Sequence, residues 1–327
     1  MGLPGLWKLM REVDLKSLRA EAEQPFAVVV MAEALADAEA LARLIGGRED
    51  SHHRWLRPCE PAPPGGPAPS ADAALLLSGA GELPPSLAFA ADALRDAGVP
   101  VVVVVKGRTD AADLVVRPGE AARAAVPRLD ASAMTPVGQA LLAAAPPTLR
   151  LALARQLPPV RPPLFTELID QTAKANALYA LTTGIAEAVP VLDLPLGVAD
   201  IIVLTKNQLV MSYKIALAAG KSGSPRQVLG EVAGVIGSGF LLRQGARQLI
   251  GLVPVVGIAP KVAVAYAGTW AIGQAVVAWA ADGRRLSPAA VRRFYAEARQ
   301  RGRSVAQALV ARAQRAPKKL SWLRRRR

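Results

Sequence analysis

The sequence predicts an α/β domain followed by an all-α helical domain, and three observations carry this fold class. Short β-branched runs alternate with helical segments over residues 1–148, which is the pattern of an open, mostly parallel sheet. After Leu149 these runs stop, and long helical segments rich in alanine, valine and leucine follow. The stretch 249–281 carries a single charge, at Lys261, and contains two prolines, so it predicts a strongly apolar helical hairpin.

Compact apolar runs predict the buried strands of the first domain. These runs are Pro25–Met31, Ala73–Leu77 and Val99–Val105. The last run is continuous in valine, as parallel strands buried on both faces are. Helices are predicted over Glu33–Ile45 and Ser86–Ala97, and glycines follow both. The remaining elements of this domain are a loop over 52–70, short strands over 114–116 and 125–129, and a helix over 136–144.

The second half is predicted to be helical and to end in a basic tail. A helix over 149–156 precedes the stretch PPVRPP, Pro158–Pro163, which predicts a stiff linker. The domain division that follows is an α/β domain over 1–148, a helix and Pro-rich linker over 149–165, a helical domain over 166–283 and an Arg-rich tail over 284–327.

Composition indicates a compact chain. The few histidines and the single cysteine do not have the spacing of a metal site. Of the 327 residues 52% are apolar but only 4% are aromatic, so alanine, valine and leucine must fill the cores. The single cysteine, Cys59, excludes an internal disulfide, which fits a reducing cytosol. His52, His53 and Cys59 lack the paired spacing of a metal site. We therefore expect no metal, no cofactor and no catalytic residue.

The net charge of +14 belongs to the C-terminal tail. From Gly283 to Arg327 the chain has thirteen arginines, two lysines and one acid, Glu297. An anionic lipid surface is the favoured partner because the tail follows the most apolar segment. Nucleic acid is disfavoured because a recognition motif is missing, and a merely solvated helix face is the third reading. The residues expected to contact an anionic surface are Arg284, Arg285, Arg292, Arg293, Arg324, Arg325, Arg326 and Arg327.

The apolar hairpin raises the question of membrane crossing. Val262–Ala281 is uncharged and has the length of a transmembrane helix. The N-terminal domain is expected to be cytoplasmic for want of a secretory signal, and the tail by the positive-inside rule. The number of crossings is then even or zero. A second crossing over 232–253 would carry Arg243 and Arg247, each costing roughly 2.5–3.5 kcal/mol near the bilayer centre. We expect a hairpin in or on the membrane, with a soluble buried hairpin as the alternative.

Small and polar residues indicate how these helices pack. Gly230, Gly234 and Ser238 form an i, i+4, i+8 stripe that lets two helices approach closely. Asn207 and Gln208 lie in an apolar helix, where hydrogen bonds between helices are favoured over a polar pocket. The other predicted packing residues of this region are Pro254, Gly257, Gly268 and Gly273.

The element order of the first half resembles that of a small Ras-like GTPase. Phe26–Met31 stands where the strand before the phosphate loop would be. Val101–Val105 stands where the strand before the guanine-reading Asn-Lys-x-Asp motif would be. Ala131–Thr135 resembles the late Ser-Ala loop of that family. The resemblance implies the fold of a nucleotide-binding domain.

The phosphate chemistry of that family is missing from this chain. The segment Ala32–Asp37, directly after Met31, contains neither a glycine nor a lysine, and its two acids, Glu33 and Asp37, would repel phosphate at the helix N-terminus. Lys106 is the only match to the guanine motif, and residues 78–81 lack the metal-binding aspartate. The domain is therefore interpreted as a degenerate, pseudo-GTPase domain. An atypical nucleotide-binding protein is the alternative.

An ordered set of motifs in the second half resembles the YcjF-like family. The set comprises Ala188–Val191, Asp193, Pro195, Ala199-Asp200, Leu204-Thr205, Asn207–Leu209, Tyr213–Ala216, Arg247–Leu249, Leu252–Gly257 and Ala267–Gly273. This family is a helical domain, often membrane-located, that accompanies bacterial GTPases. The resemblance implies a GTPase partner and brings no catalytic residue. The function expected is a non-enzymatic module at the bacterial inner membrane, with a cytoplasmic scaffold whose tail binds nucleic acid as a second alternative.

Overall fold

The computed structural model describes residues 13–47, 52–79, 82–109, 120–187, 196–237, 258–283 and 288–315. These residues divide into two compact units. The sheet unit comprises Asp14–Glu167 and Lys214–Gly223. The helical unit comprises Leu168–Tyr213 and the described residues from Ser224 onward. Both halves of the predicted fold class are confirmed, an α/β region followed by a helical region.

The sheet unit is built on five parallel strands in the order β2-β1-β3-β4-β5. This is the 2-1-3-4-5 order of doubly wound sheets such as that of flavodoxin. The strands are β1 (Val28–Met31), β2 (Leu56–Cys59), β3 (Ala73–Ser78), β4 (Val101–Lys106) and β5 (Ala122–Val126).

Helices connect the strands of this unit and cover the sheet. Leu87 and Leu94 of the helix after β3 pack with Val29, Leu76 and Val103 in one buried cluster. All of Val101–Val105 is buried, as predicted for a strand covered on both faces. The helices are α1 (Leu15–Glu23), α2 (Leu35–Gly46), α3 (His52–Trp55), α4 (Pro85–Asp96), α5 (Thr135–Ala144) and α6 (Arg150–Gln156), and 3-10 turns occupy Ala131–Ala133, Pro147–Leu149 and Pro158–Val160.

The stretch 52–70 is only partly the loop that was predicted. Residues of this stretch form α3 and β2, and β2 pairs in parallel with β1. Its sequence, LRPC, contains no β-branched residue, so propensity does not reveal it. Pro58 is tolerated because β2 is an edge strand. The strand predicted over 125–129 is β5, which begins three residues earlier, and the one predicted over 114–116 lies outside the described residues.

The predicted linker Pro158–Pro163 is helical rather than extended. Its first residues form a 3-10 turn that leads directly into α7 (Arg161–Glu187). Val160 is fully buried, and the Arg161 side chain donates to the carbonyls of Ala154 and Arg155, each at 3.0 Å. Proline suits the first turn of a helix because the N–H it lacks has no helical partner there.

The helical unit surrounds one apolar helix. Its helices are α7, α8 (Leu196–Ala218), α9 (Pro225–Gly237), α10 (Ile258–Asp282) and α11 (Pro288–Arg315), and α7 and α8 contribute residues to both units. Val262 and Tyr266 of α10 form a buried cluster with Ala173 and Leu181 of α7 and Ala306 of α11. The helical C-terminal region is thus as predicted, and α10 is the second arm of the predicted apolar hairpin; residues 238–257, which include most of the other arm and the turn, lie outside the described residues.

Close helix approach occurs at Gly273, which was predicted, and at Gly302, which was not. A Cβ on Gly273 would lie 2.5 Å from Cγ1 of Ile169, and one on Gly302 would lie 2.7 Å from the carbonyl oxygen of Ala263. At three other predicted packing positions, no heavy atom of the described residues lies within 4 Å of the place a Cβ would take, apart from the glycine's chain neighbours and the adjacent backbone of its own helix. These positions are Gly230, Gly234 and Gly268. Ser238, Pro254 and Gly257 lie outside the described residues.

We predict that Gly138→Ala destabilises the sheet unit. Gly138 is buried in α5, and a Cβ there would overlap the carbonyl group of Pro159 in the 3-10 turn. Overpacking of this kind costs about 1–3 kcal/mol, and each kcal/mol lowers the melting temperature by about 2–4 °C in a unit of this size. Gly234→Ala is the matched control, because a helical glycine with open space around it gains helix propensity. Equal melting temperatures for the two variants would contradict the prediction.

Candidate functional site

The carboxyl edge of the sheet is where an α/β fold of this order binds ligands. From β1 the chain passes to β2 on one side and then to β3 on the other, so the topological switch point lies between β1 and β3. In this fold the loop after β1 and the N-terminus of α2 are the places where a phosphate group would be received.

A carboxylate of the chain itself occupies the N-terminus of α2. The backbone N–H of Leu35 donates to Oε1 of Glu60 at 3.3 Å, and Glu60 directly follows β2. Asp37 adds a second acid in the first turn, and Glu33 lies exposed just before the helix. Negative charge at this helix end is therefore already supplied. The sequence prediction missed Glu60 because it missed β2, whose sequence LRPC has no strand pattern.

The described residues at the ends of β3 and β4 do not replace the missing phosphate loop. Ser78 is buried, and its hydroxyl donates to the carbonyl of Glu82 at 2.6 Å. Lys106 ends β4 and is exposed. The next residue, Gly107, has a left-handed φ of 87°, a backbone conformation that glycine adopts readily in a turn after a strand. Lys106 is thus an exposed charge at the end of β4, and Arg108 is a second exposed charge after it.

The loop compared with the late Ser-Ala loop is an internally bonded turn. Asp130 accepts hydrogen bonds from the Ser132 hydroxyl at 2.5 Å and from the Ala133 N–H at 3.1 Å. The Ser132 hydroxyl, first among the causes, holds the pKa of the Asp130 carboxyl below its ordinary value. These bonds cap the 3-10 turn at Ala131–Ala133.

An ion pair is buried at β5. The Arg123 Nη2 donates to Glu120 Oε1 at 2.5 Å, and both side chains are 5% exposed. This bond is the main cause of a raised pKa for the Arg123 guanidinium. Each charge of the pair is balanced by the other, so we assign it a structural role.

Metal-binding geometry is missing from the part of the chain that the structure describes. Within those residues, no three His, Cys, Asp or Glu side chains lie close enough to share an ion. Cys59 ends β2 and is half-buried, and burial raises the pKa of its thiol, which lowers its reactivity. His52 and His53 lie in α3.

The helical unit contains a buried polar network that joins three helices. The Asn176 side chain of α7 donates to the Thr269 hydroxyl of α10 at 2.9 Å. From α8, Asn207 donates to Oδ1 of Asn176 at 2.8 Å, and Gln208 donates to the Thr269 hydroxyl at 3.1 Å. Asn176 and Thr269 are fully buried. Hydrogen bonds between helices, the role predicted for Asn207 and Gln208, are thus what the structure has at these residues.

The network is chemically complete at its centre. The Thr269 hydroxyl accepts from two amides and donates its own proton to the Ala265 carbonyl at 2.8 Å. Its hydrogen-bonding capacity is therefore used, since a hydroxyl has one donor and two acceptor positions. Such a network sets the register of the three helices.

The arginine-rich helix α11 packs antiparallel along α10. Gly302 contacts Ala263 at one end of the pair, and the Phe294 ring lies 6.1 Å from that of Trp270 further along. The Arg301 guanidinium lies over the Trp270 ring at 5.4 Å, a cation–π contact. The apolar side of α11 thus faces α10.

Two of the arginines predicted to contact an anionic surface lie within α11. Arg293 is exposed and stands 4.0 Å from Glu297. Arg292 belongs to the same helix. The other six, Arg284, Arg285 and Arg324 to Arg327, lie outside the described residues.

One helix among the described residues is long and apolar enough to cross a membrane. It is Val262–Ala281 of α10, and 72% of it is buried within the protein. Core helices of soluble proteins can have the same length and composition, so these two properties do not distinguish a membrane-spanning helix from a buried one.

Comparisons of the chain with protein-family models, curated proteins and solved structures find no match.

We predict that the full-length protein binds neither GTP, GDP nor ATP at micromolar concentration. The glycine-dependent loop and its lysine are missing, and Glu60 holds the helix end where phosphate would bind. Calorimetric titration with each nucleotide and Mg²⁺ is the measurement. Glu60→Gln, which removes the charge alone, should not create binding. A saturable heat of micromolar affinity for any nucleotide would establish a nucleotide-binding protein instead.

We predict that Asn176→Ala destabilises the helical unit. The change leaves the Asn207 amide and one acceptor position of Thr269 without their partner. Each unsatisfied buried polar group costs about 1–3 kcal/mol. Thermal unfolding followed by circular dichroism is the measurement. Asn207→Ala, at a half-buried position, is the control and should cost less; an equal loss in both variants would contradict a network centred on Asn176.

Proposed function

We propose that this chain is a non-enzymatic, membrane-associated module that works with a GTPase or a related protein at the bacterial inner membrane. In this proposal the helical unit lies on the cytoplasmic membrane surface and α10 does not cross the bilayer. The antiparallel packing of α11 along α10 is the observation that carries the proposal.

Packing of a basic helix along the apolar helix favours a surface position. The contacts of Gly302 with Ala263 and of Phe294 with Trp270 place Arg293 beside the middle of Val262–Ala281. If α10 crossed the bilayer with α11 attached, this exposed arginine would lie near the bilayer centre. An arginine there costs roughly 2.5–3.5 kcal/mol. The further arginines of α11, at 299, 301 and 303, would enter the same layer and add to the cost.

The lack of an enzymatic role is supported by how the polar groups are used. At the switch point, Glu60 takes the helix end that a phosphate would need. In the helical unit, Asn176 and Thr269 direct their hydrogen bonds to each other and to neighbouring helices. Neither arrangement presents a free nucleophile or a general base to a substrate.

The proposed GTPase partner is supported by the motif resemblance of the second half to the YcjF-like family. The residues of two of its motifs, Asn207-Gln208 and Thr269, meet in the buried network. Hydrolysis would then belong to the partner, because this chain has no phosphate loop after β1.

We predict that the protein sediments with membranes and is released without detergent. Electrostatic attachment weakens in about 1 M salt, where the Debye length falls to roughly 3 Å. Fractionation of cells followed by salt, carbonate and detergent washes is the measurement, with an integral membrane protein as the control. Release by detergent alone would indicate a spanning hairpin. Complete recovery in the soluble fraction at low salt would contradict membrane association.

A further inference from the structure

The exposed arginines of α11 lie on two different flanks of the helix. Four residues make about one helical turn, so Arg299 and Arg303 stand one above the other, about 6 Å apart along the axis. Both side chains are exposed. The buried line of the helix, Ala298, Gly302 and Ala306, faces α10. We name Arg299 and Arg303 the arginine stripe.

Two exposed arginines away from this stripe, Arg293 and Arg301, already have partners. Arg293 stands 4.0 Å from Glu297, the only acid of α11, and 5.5 Å from the Phe294 ring. The Arg301 guanidinium lies over Trp270. For the arginine stripe, by contrast, no carboxylate within the described residues lies at ion-pair distance.

We infer that the arginine stripe binds the phosphate groups of anionic membrane lipids without inserting apolar side chains. A guanidinium carries five N–H donors in a planar fork that matches phosphate oxygens. The apolar side of α11 stays packed on α10, so attraction to the membrane comes from charge. This inference rests on the proposed function and adds the residues and the mode of binding.

Lipid is favoured over nucleic acid as the ligand of the stripe because the aromatic rings at the contact of α10 and α11 pack against each other. Binding to single strands combines basic residues with aromatic rings on which bases stack. The two aromatic rings that meet where α11 packs on α10, Trp270 and Phe294, pack against each other on the flank of Arg301, so neither ring lies on the flank of the stripe. A flat basic flank on a helix that covers an apolar helix matches a lipid surface.

Sedimentation of the full-length protein with vesicles tests the inference. The vesicles contain phosphatidylcholine alone or with an anionic phosphatidylserine fraction. R299Q/R303Q removes two charges from the stripe. R43Q/R95Q removes two charges from exposed, ion-paired arginines of α2 and α4 and serves as the control for net charge. Melting temperatures of all variants monitor folding.

We expect wild type to bind only the anionic vesicles and to be released by salt. R299Q/R303Q should lose roughly 25-fold in affinity, since each basic residue at an anionic surface contributes about fivefold. R43Q/R95Q should lose far less, and R299K/R303K should retain most of the binding because the charge is kept.

The results distinguish membrane binding through the arginine stripe from membrane binding through other parts of the protein. Anionic-vesicle binding that is equal in R299Q/R303Q and R43Q/R95Q would overturn the stripe while the membrane proposal stands. Failure of the folded wild type to bind either vesicle would overturn both. Salt-sensitive binding of a DNA duplex that depends on the stripe, without vesicle binding, would replace lipid by nucleic acid.

Discussion

The helical unit depends on covering α10 along its length. This helix is apolar through Val262–Ala281, and 72% of that segment is buried, which removes its surface from water. Neighbouring helices provide the cover, α9 among them. From α7 come Ala173 and Leu181, α8 supplies amide donors, and α11 supplies small residues at its contact line.

Small residues make this covering possible, because two helix backbones approach only where side chains are absent. Gly273 admits the Ile169 side chain, and Gly302 admits the Ala263 backbone. The approach of α11 has an electrostatic consequence, since it keeps arginines beside the most apolar segment of the chain. An apolar core and a basic surface are thereby held in one unit, and this combination supports the proposed position on an anionic membrane.

The sheet unit shows how a ligand-binding architecture can have its ligand position filled by the chain. The order β2-β1-β3-β4-β5 creates a switch point and directs the N-terminus of α2 toward the carboxyl edge. Glu60 directly follows β2, the strand next to β1, and places a carboxylate at the helix end where a phosphate would bind. This carboxylate supports our proposal of a role in protein contact rather than nucleotide chemistry.

The strongest sequence patterns determined the elements that depend on local chemistry. The valine run of β4 predicts a buried strand, the apolar run of α10 predicts a helix shielded from water by protein or by a membrane, and the lack of glycine and lysine directly after β1 removes a phosphate loop whatever the fold. Tertiary structure alone decided the rest. LRPC becomes β2 because β1 offers it an edge, and Asn207 meets Asn176 across 31 residues of chain. Which side of α11 packs on α10, and therefore which arginines stay exposed, is decided by packing between helices at Gly302 and Ala306.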